Sequence, residues 1–390
     1  MLQPKLRFKG FEKEWEEEKL GKISDVSKLA GFEFTDYVTY EETGKIIALR
    51  GLNIKNNKLD LNDVKYIDKS NFSKLERSRL YKDDLMFTYV GTIGEVALIP
   101  ENDKYYLAPN VCRIRVIPKI NARYLLFIFN SPSIKNEIYK YLTITSQPAL
   151  SMENIRKFSI KVPILKEQKK IADFLSSVDV KLDLTEKKLE LLKNYKKGIM
   201  QKIFSQELKF KDENGNDYAK WEEKKLENIV NINKGKQLNK EFLLEYDKYP
   251  VINGGILPSG YTDTYNYFAN TITISEGGNS CGYVNFIKKD FWAGGHCYIL
   301  EKKENINYKY LYQILKNNES NIMELRVGSG LPNIQKKSIN EYRINVSMTL
   351  EEQQKIADFL FSIDDKIEKL SSKLEELKEF KKGLLQQMFV

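Results

Sequence analysis

The chain has 390 residues, a formal net charge of +9 and 42% hydrophobic residues, a length that allows two or three domains with cores of their own. No apolar run approaches 18 residues and no signal-peptide core opens the chain, so we expect no membrane segment. The three cysteines (Cys112, Cys281, Cys297) are scattered without disulfide or zinc spacing, which fits a cytoplasmic location and predicts no metal site.

Residues 1–166 read as a short leader followed by a domain of mixed α and β character. The leader contains Trp15 within a Trp-Glu-Glu motif. Apolar runs bounded by turn residues predict strands in KIIALRGLNI, DDLMFTYVGTIGEVALI and VCRIRVI. The segments NARYLLFIFNS and SIKNEIYKYLT favour helices, and the polar stretch Thr143–Pro148 leads into LSMENIRKFSIKVP.

Residues 167–205 predict the first of two long helices. The segment has no proline, is rich in Lys, Glu, Leu and Ile, and carries apolar residues at alternating spacings of three and four. This heptad seam, interrupted at Lys196, indicates that the helix packs along its length on another helix. At about 1.5 Å per residue it would extend about 57 Å.

Residues 206–351 repeat the leader and a second domain. Trp221 stands in a second Trp-Glu-Glu motif, and IQKKSINEYRINV matches LSMENIRKFSIKV of the first domain. The middle of this domain differs, because Gly, Asn, Ser and Tyr are dense between Tyr249 and Leu300. The two domains therefore share a frame and differ in their loops, which suggests one task performed on two targets.

Residues 352–390 predict the second long helix. Its sequence EQQKIADFL repeats EQKKIADFL of the first helix 185 residues later without a gap, and Lys381 interrupts the seam where Lys196 does in the first. The seams match, so we expect the two helices to pack on each other within one chain; an intermolecular coiled coil or a plain bundle core is the alternative. The predicted fold class is α+β, with two mixed domains separated by two long coiled-coil helices in an internal repeat.

The sequence offers no recognisable catalytic constellation. It has one histidine, His296, which is more often structural than catalytic, and no Walker A or dinucleotide fingerprint. Most of the positive charge lies outside the two helices, which suggests a polyanionic partner, most plausibly nucleic acid. We therefore expect a binding protein that is not an enzyme.

The duplicated Glu-Gln-x-Lys-Ile-Ala-Asp-Phe-Leu helices, the Trp-Glu leaders and the paired variable domains resemble the specificity subunit of type I restriction-modification enzymes. The resemblance covers essentially the whole chain, and the strand pair DDLMFTYVGTIGEVALI looks like the family's Gly-loop hairpin. One departure is VSMTLEEQ, which lacks the proline that the family usually carries before its Glu-Gln pair.

The resemblance implies that each domain is a target recognition domain reading one half of a bipartite, gapped DNA site. It also implies that the two long coiled-coil helices lie antiparallel in a pseudo-twofold arrangement. They would hold the domains apart by something like one to one and a half turns of DNA, at about 34–36 Å per turn. It also implies partners: double-stranded DNA, two modification (methyltransferase) subunits, and restriction (endonuclease and translocase) subunits. S-adenosylmethionine, ATP and Mg would be bound by those partners, and no cofactor by this chain.

Side chains that can contact bases or phosphates in the predicted loops are the candidate DNA contacts. In the first domain these are Arg50, Asn53, Lys55, Tyr89, Thr92, Ser146 and Gln147. In the second they are Asn253, Tyr261, Asn279, Ser280 and Ser329. For each, an ordinary solvated loop is the alternative, and the loop glycines are expected chiefly to make turns. Arg113 and Arg115 share one face of a predicted strand, which either lines DNA or faces solvent.

Two other functions remain open at this point. A stand-alone DNA-binding regulator or scaffold could use the coiled coil to oligomerise, and it would purify as a homodimer without a methyltransferase. A nuclease with an unrecognised site is a third possibility, which DNA cleavage by the purified chain with metal would reveal.

Overall fold

The computed structural model of the chain describes residues 3–142, 148–303, 305–328 and 330–390. The chain divides into two compact units, each with a mixed α and β domain and one half of each of two long helices. Unit 1 comprises Met1–Thr185 and Lys373–Val390, and unit 2 comprises Glu186–Ser372. The predicted fold class is confirmed by this composition of strands, short helices and two long helices.

The domain of unit 1 is built from short strands joined by turns, with small helices at its end. Its strands are β1 (Glu16–Lys19), β2 (Ser24–Lys28), β3 (Ile47–Leu49), β4 (Ile54–Lys55), β5 (Lys58–Leu59), β6 (Lys65–Tyr66), β7 (Leu85–Thr88), β8 (Val96–Leu98), β9 (Tyr105–Leu107), β10 (Val111–Val116) and β11 (Ser159–Val162). Its helices are α1 (Leu20–Ile23), α2 (Gly31–Tyr37), α3 (Ala122–Phe129), α4 (Pro132–Tyr141) and α5 (Met152–Arg156), before the long helix α6 (Leu165–Phe204). The strands and helices predicted from the apolar runs are confirmed.

Two main sheets form the domain of unit 1. One has the strand order β2-β10-β7-β8, and the other has the order β6-β3-β9, in which β3 and β9 are parallel. Between them lies a core of buried aliphatic and tyrosine side chains, among them Leu49, Met86 and Tyr105. The leader strand β1 pairs with β11, the last strand before α6, and so closes the domain onto the start of the long helix.

Unit 2 has the same order of elements, apart from helix α2 and the small hairpin β4–β5, which have no counterparts of the same type. Its strands are β12 (Glu222–Lys225), β13 (Val230–Lys234), β14 (Tyr249–Ile252), β15 (Gly260–Thr262), β16 (Thr271–Ser275), β17 (Val284–Ile287), β18 (Trp292–Ala293), β19 (Cys297–Lys302) and β20 (Arg343–Val346). Its helices are α7 (Leu226–Ile229), α8 (Tyr308–Asn317), α9 (Glu319–Glu324), α10 (Lys336–Asn340) and α11 (Leu350–Gln387). The sheet orders β13-β19-β16-β17 and β15-β14-β18, and the pair β12-β20, repeat those of unit 1.

The long helices pair antiparallel within each unit, as predicted. In unit 2, Met200 and Ile203 at the end of α6 share a core with Ile356 and Leu360 at the start of α11. In unit 1, Phe389 just beyond α11 packs on Tyr124, which also contacts Trp15 beside the start of α6. Burial of apolar faces in both units is what stabilises helices of this length.

The two lysines that interrupt the heptad seams form matching ion pairs across the helix pair. Nζ of Lys196 lies 2.6 Å from Oδ1 of Asp364 in unit 2, and Nζ of Lys381 lies 2.5 Å from Oδ1 of Asp179 in unit 1. Burial lowers the pKa of Lys196, and the Asp364 carboxylate opposes that shift. A charge at a seam position is costly without its partner, so each pair favours this register and direction over others.

The repeated Glu-Gln pair joins each domain to its long helix. Glu167 is buried and accepts hydrogen bonds from Trp15 Nε1 at 3.4 Å and from Arg7, whose Nε lies 2.8 Å from Oε1 and whose Nη2 lies 2.9 Å from Oε2. In unit 2, Glu352 accepts from Trp221 Nε1 at 2.9 Å and from Ser347 Oγ at 2.5 Å. Ser347 stands where unit 1 has a proline, so the departure from the family pattern supplies the second donor that Arg7 provides in unit 1.

The glutamines of the pair make the same contacts in both units. Gln168 Oε1 accepts from the backbone N–H of Asn121 and Gln353 Oε1 accepts from that of Asn307, both at 2.8 Å. Each asparagine caps the first core helix of its domain, α3 or α8. The leader repeats as well: Leu208 N donates to Lys202 O, and Leu6 N to Gln387 O, both at 2.9 Å.

Candidate nucleic-acid interface

Three loops of unit 1 enclose a cleft of about 580 Å³. They follow β3, connect β7 with β8, and precede β10, so both sheets of the domain position them. The side chains and backbone lining the cleft belong to Tyr40, Arg50, Gly51, Leu52, Ile54, Lys55, Thr88, Val90, Thr92, Glu95, Pro109 and Asn110. The structure thus brings together three of the predicted contacts, Arg50, Lys55 and Thr92.

Arg50 and Lys55 are the basic residues that line the cleft, and Glu95 is its acidic residue. Arg50 Nη2 donates to the backbone oxygen and to Oδ1 of Asp63, at 2.9 and 2.8 Å, whereas its Nε is buried and has no hydrogen-bond partner among the described residues. Lys55 Nζ lies 3.0 Å from Oδ2 of Asp60 and stays 60% exposed. Exposed ion pairs of this kind are weak, so a phosphate or a base could replace the carboxylates.

Asn53 lies beneath the cleft, and its predicted contact with DNA needs correction. The residue is fully buried. Its side-chain oxygen accepts from Arg50 N at 3.0 Å, and its amide nitrogen donates to the backbone oxygens of Asp60 and Asp63 at 2.9 and 2.7 Å. All its hydrogen-bonding groups are used in shaping the loop that carries Arg50.

Tyr89 and Thr92 occupy the loop between β7 and β8. Tyr89 is half-buried, and Nζ of Lys28 lies 5.6 Å from the centre of its ring. Thr92 is exposed, and its backbone oxygen accepts from Thr88 Oγ1 at 2.5 Å. Ser146 and Gln147 lie outside the described residues, and their contacts stay predictions.

In unit 2 the corresponding loops hold a cluster of ionisable and polar side chains. Glu276 Oε1 accepts from Lys234 Nζ at 2.7 Å and from Tyr298 Oη at 3.1 Å, and its Oε2 lies 3.6 Å from Nδ1 of His296. Burial and this carboxylate raise the pKa of Tyr298 to about 12, so the phenol stays protonated and donates. Asn253 is half-buried beside them, and its Oδ1 accepts from His296 N at 3.3 Å.

The other predicted contacts of unit 2 occupy different surroundings. Tyr261 on β15 stacks on Tyr246, with ring centres 6.5 Å apart, and so lies away from the Glu276 cluster. Asn279 is exposed and Ser280 half-buried in the loop between β16 and β17. Ser329 lies outside the described residues. The structure therefore groups Asn253 with Glu276 and His296 and leaves Tyr261 elsewhere.

Glycines shape the two hairpin loops in the same way. Gly91 and Gly278 both have φ +77°, while Gly94 and Gly282 have φ +99° and +88°, a region that other residues rarely adopt. The prediction that these glycines make turns is confirmed for Gly91 and Gly278.

Much of the backbone hydrogen bonding around the two sets of loops recurs, although the hairpin loop of unit 2 is one residue longer. Five bonds recur in both units between equivalent positions. In unit 1 they are Thr88 N to Glu95 O, Gly94 N to Thr88 O, Tyr89 N to Asn110 O, Leu150 N to Tyr89 O, and Ala108 N to Leu49 O. In unit 2 they are Ser275 N to Tyr283 O, Gly282 N to Ser275 O, Glu276 N to His296 O, Ile334 N to Glu276 O, and Gly294 N to Ile252 O.

Glu276, His296 and Asn110 were missed by reasoning from the sequence. They come to the loops through strand pairing between distant segments: Val111 pairs with Thr88, and Cys297 pairs with Ser275. An alignment of TYVGTIGEV with SEGGNSCGYV on their loop glycines, allowing one extra residue in the second loop, could have placed Glu276 at the position of Tyr89.

Arg113 differs from both expectations for its strand face, because it is buried and its guanidinium pairs with the Asp25 carboxylate. Arg115 Nε and Nη2 each lie 2.7 Å from the oxygens of Asp84, which is itself buried. The Arg115 side chain stays 38% exposed, so part of it faces solvent.

Two further features were sought in the part of the chain that the structure describes. Within it, no three His, Cys, Asp or Glu side chains lie close enough to hold a metal ion together. None of the helices described has the length and apolar character needed to cross a bilayer.

Two mixed domains with one backbone frame, different loop side chains and paired long helices define a duplicated binding protein. The chain matches the family described as type I restriction modification DNA specificity domain over residues 12–194 and 218–379. It therefore belongs to that family, and the resemblance read from the sequence is confirmed.

Several curated relatives carry names of the same kind. Putative type I specificity subunits of Mycoplasma genitalium and Mycoplasma pneumoniae are 33% and 35% identical over 162 residues. Each match covers 41% of this chain and only 42% or 43% of the relative, so less than half of either relative is matched. A putative type I restriction enzyme specificity subunit of Methanocaldococcus jannaschii is 26% identical over 356 residues, covering 85% of this chain and 83% of the relative.

Solved structures share the fold. The crystal structure of the S subunit of a type I restriction-modification system from M. genitalium matches with a TM-score of 0.72 and 20% identity, covering 100% of this chain and 99% of that one. A chain from a structural study of complex assembly in the type I system matches with a TM-score of 0.54 and 18% identity, over 97% of this chain and 98% of that one.

Proposed function

We propose that this chain is the DNA-recognition subunit of a type I restriction-modification complex. Each domain recognises one half of a bipartite, gapped DNA site, and the subunit directs methylation and restriction by its partners to that site. Membership of the family supports this function over that of a stand-alone regulator.

The observation that carries the proposal is that the two units share a backbone arrangement around their loops but present different side chains from those loops. Five backbone hydrogen bonds around the loops recur at equivalent positions of both units, whereas the side chains that the loops present differ. A protein that binds the same partner with each unit would be expected to keep both the backbone hydrogen bonds and the loop side chains. A protein that reads two different half-sites needs the same support and different contacts.

In the proposed function this chain recognises DNA and catalyses no reaction itself. Two modification subunits would transfer the methyl group from S-adenosylmethionine, and restriction subunits would use ATP and Mg to translocate and cut. Because the target of these subunits is genomic DNA, the location proposed is the cytoplasm. The Arg50 and Lys55 side chains that line the cleft of unit 1 are cations that a DNA phosphate could contact, which supports a polyanionic ligand.

Base-resolved sequencing of DNA methylation tests the function directly. The gene for this chain is deleted from a strain that carries the modification subunit and is then restored. The expected result is one gapped, asymmetric motif that disappears and returns with the gene. A motif that persists without this chain, or the absence of any motif with it, would refute the proposal.

A further inference from the structure

The shared frame identifies which positions of the two units correspond. Tyr89 and Glu276 each donate their backbone N–H to the residue before the central strand, which is Asn110 in unit 1 and His296 in unit 2. We call these four residues, in the pairs Tyr89/Glu276 and Asn110/His296, the matched loop positions.

A lysine of the same frame contacts the first matched position in both units. Lys28 pairs with Cys112 across β2 and β10, and Lys234 pairs with Tyr298 across β13 and β19, one residue beyond the matched pairs Val111 and Cys297. Nζ of Lys28 lies 5.6 Å from the Tyr89 ring centre, and Nζ of Lys234 lies 2.7 Å from the Glu276 carboxylate. Both units therefore have a lysine at this position, but the side chain that the lysine contacts is a tyrosine in unit 1 and a glutamate in unit 2.

The hydrogen bonds that recur at the matched positions in both units are made by backbone atoms, and they accommodate tyrosine or glutamate, asparagine or histidine. Asn110 and His296 are exposed, and Tyr89 and Glu276 are partly buried at the loop surface. One oxygen of the Glu276 carboxylate also accepts hydrogen bonds from Lys234 and Tyr298, so its other oxygen and the exposed side chains are the groups that a ligand can meet.

Glu276 retains the capacity to accept a hydrogen bond. Oε1 is fixed by Lys234 and Tyr298, but Oε2 is 3.6 Å from the nearest nitrogen of His296, beyond hydrogen-bond distance. A carboxylate accepts hydrogen bonds from the exocyclic amino group of a base, as glutamate does from cytosine N4, and repels phosphate. The exposed imidazole beside it can donate to an acceptor on the neighbouring base edge.

We infer that Glu276 and His296 determine the base read at one position of the second half-site, and that Tyr89 and Asn110 do so at the corresponding position of the first. The ligand of Glu276 is a base edge that presents an amino group, and Lys234 positions the carboxylate. This inference rests on the proposed function and names the residues that perform it.

Methylome sequencing of variants in the assembled complex tests the inference, with the host genome as the probe. Glu276→Gln replaces an acceptor by a group that both donates and accepts. We expect about a tenfold loss of discrimination at one base position of one half-site, with the other half-site unchanged, because a good pair of contacts gives about 1–3 kcal/mol of discrimination. His296→Ala should relax the same position or its neighbour. Tyr89→Glu should alter the first half-site only.

Glu301→Gln is the matched control, since Glu301 is an exposed acid on β19 that pairs with Asn233 away from the loops. It should leave the motif unchanged. A merely structural role of Glu276 would lower methylation without changing base preference, or relax every position of its half-site together. Either outcome overturns the inference, as does unchanged preference in both Glu276→Gln and His296→Ala. If the wild-type chain directs no gapped motif, the proposed function fails instead.

Discussion

Removing Arg7 should release the leader from the first domain. Its guanidinium makes two hydrogen bonds, at 2.8 and 2.9 Å, with Glu167, whose side chain is 1% exposed. Among the residues that the structure describes, the one other donor to this carboxylate is Trp15 Nε1 at 3.4 Å. Arg7→Ala leaves a buried carboxylate nearly unpaired, which typically costs about 3–5 kcal/mol. We take the lower end because the Arg7 side chain is 12% exposed.

Amide hydrogen exchange of the full chain measures this loss locally. About 3 kcal/mol corresponds to a roughly 100-fold larger opening equilibrium, so amides of the paired strands β1 and β11 should exchange about 100-fold faster in Arg7→Ala. Amides of unit 2 should be unaffected. The double variant Arg7→Met with Glu167→Gln, which removes both charges and keeps the acceptor for Trp15, should recover most of the protection.

Lys209 provides the matched control. It follows Leu208 as Arg7 follows Leu6, but it is exposed, and Ser347 Oγ supplies the second donor to Glu352 in its unit. Lys209→Ala should therefore leave exchange in β12 and β20 unchanged. Exchange in β1 and β11 of Arg7→Ala within about threefold of wild type would refute the reasoning.

Three further outcomes are expected. Asp364→Asn should destabilise the chain at neutral pH because Lys196 stays buried without its counter-charge. Burial lowers the folded-state pKa of Lys196, so the folded state binds fewer protons than the unfolded state, and the loss in unfolding free energy should shrink as the pH rises towards 10.5. Urea unfolding between pH 7 and 10 measures this change. Leu189→Pro or Leu374→Pro should break a long helix at a cost of about 3 kcal/mol or more and abolish methylation at both half-sites, whereas Leu→Ala at these positions should retain the motif. Asn253→Ala should change only one half-site in the methylome, and equal changes in both would contradict the modular function.

The sequence predicts the long helices and most strands because those signals are local. The heptad seams, the apolar run at β7 and β8 and the Gly spacing between them lie within short windows. The two seam lysines at matching register also indicate their antiparallel partners, and Asp179 and Asp364 lie where that pairing requires.

The candidate site is harder to predict because strand pairing between distant segments assembles it. Asn253, Glu276 and His296 meet only when β14, β16 and β19 have formed, and nothing near His296 in the sequence indicates Glu276 as its neighbour. Asn53 shows the converse: a polar residue after a strand resembles a surface contact, yet its amide is consumed by the backbone around it.

The Glu-Gln junction has a consequence for how such a protein can change. A domain is joined to its helix through a few recurring anchors: a leader tryptophan, a capping asparagine and the Glu-Gln pair itself. An inserted segment that brings the tryptophan, the asparagine and a second donor to the glutamate, as Arg7 or Ser347 provides, can satisfy the same buried groups whatever its loops contain. Recombination between genes at these boundaries could therefore replace the half-site that a domain recognises in one event, without a series of intermediates that recognise no site.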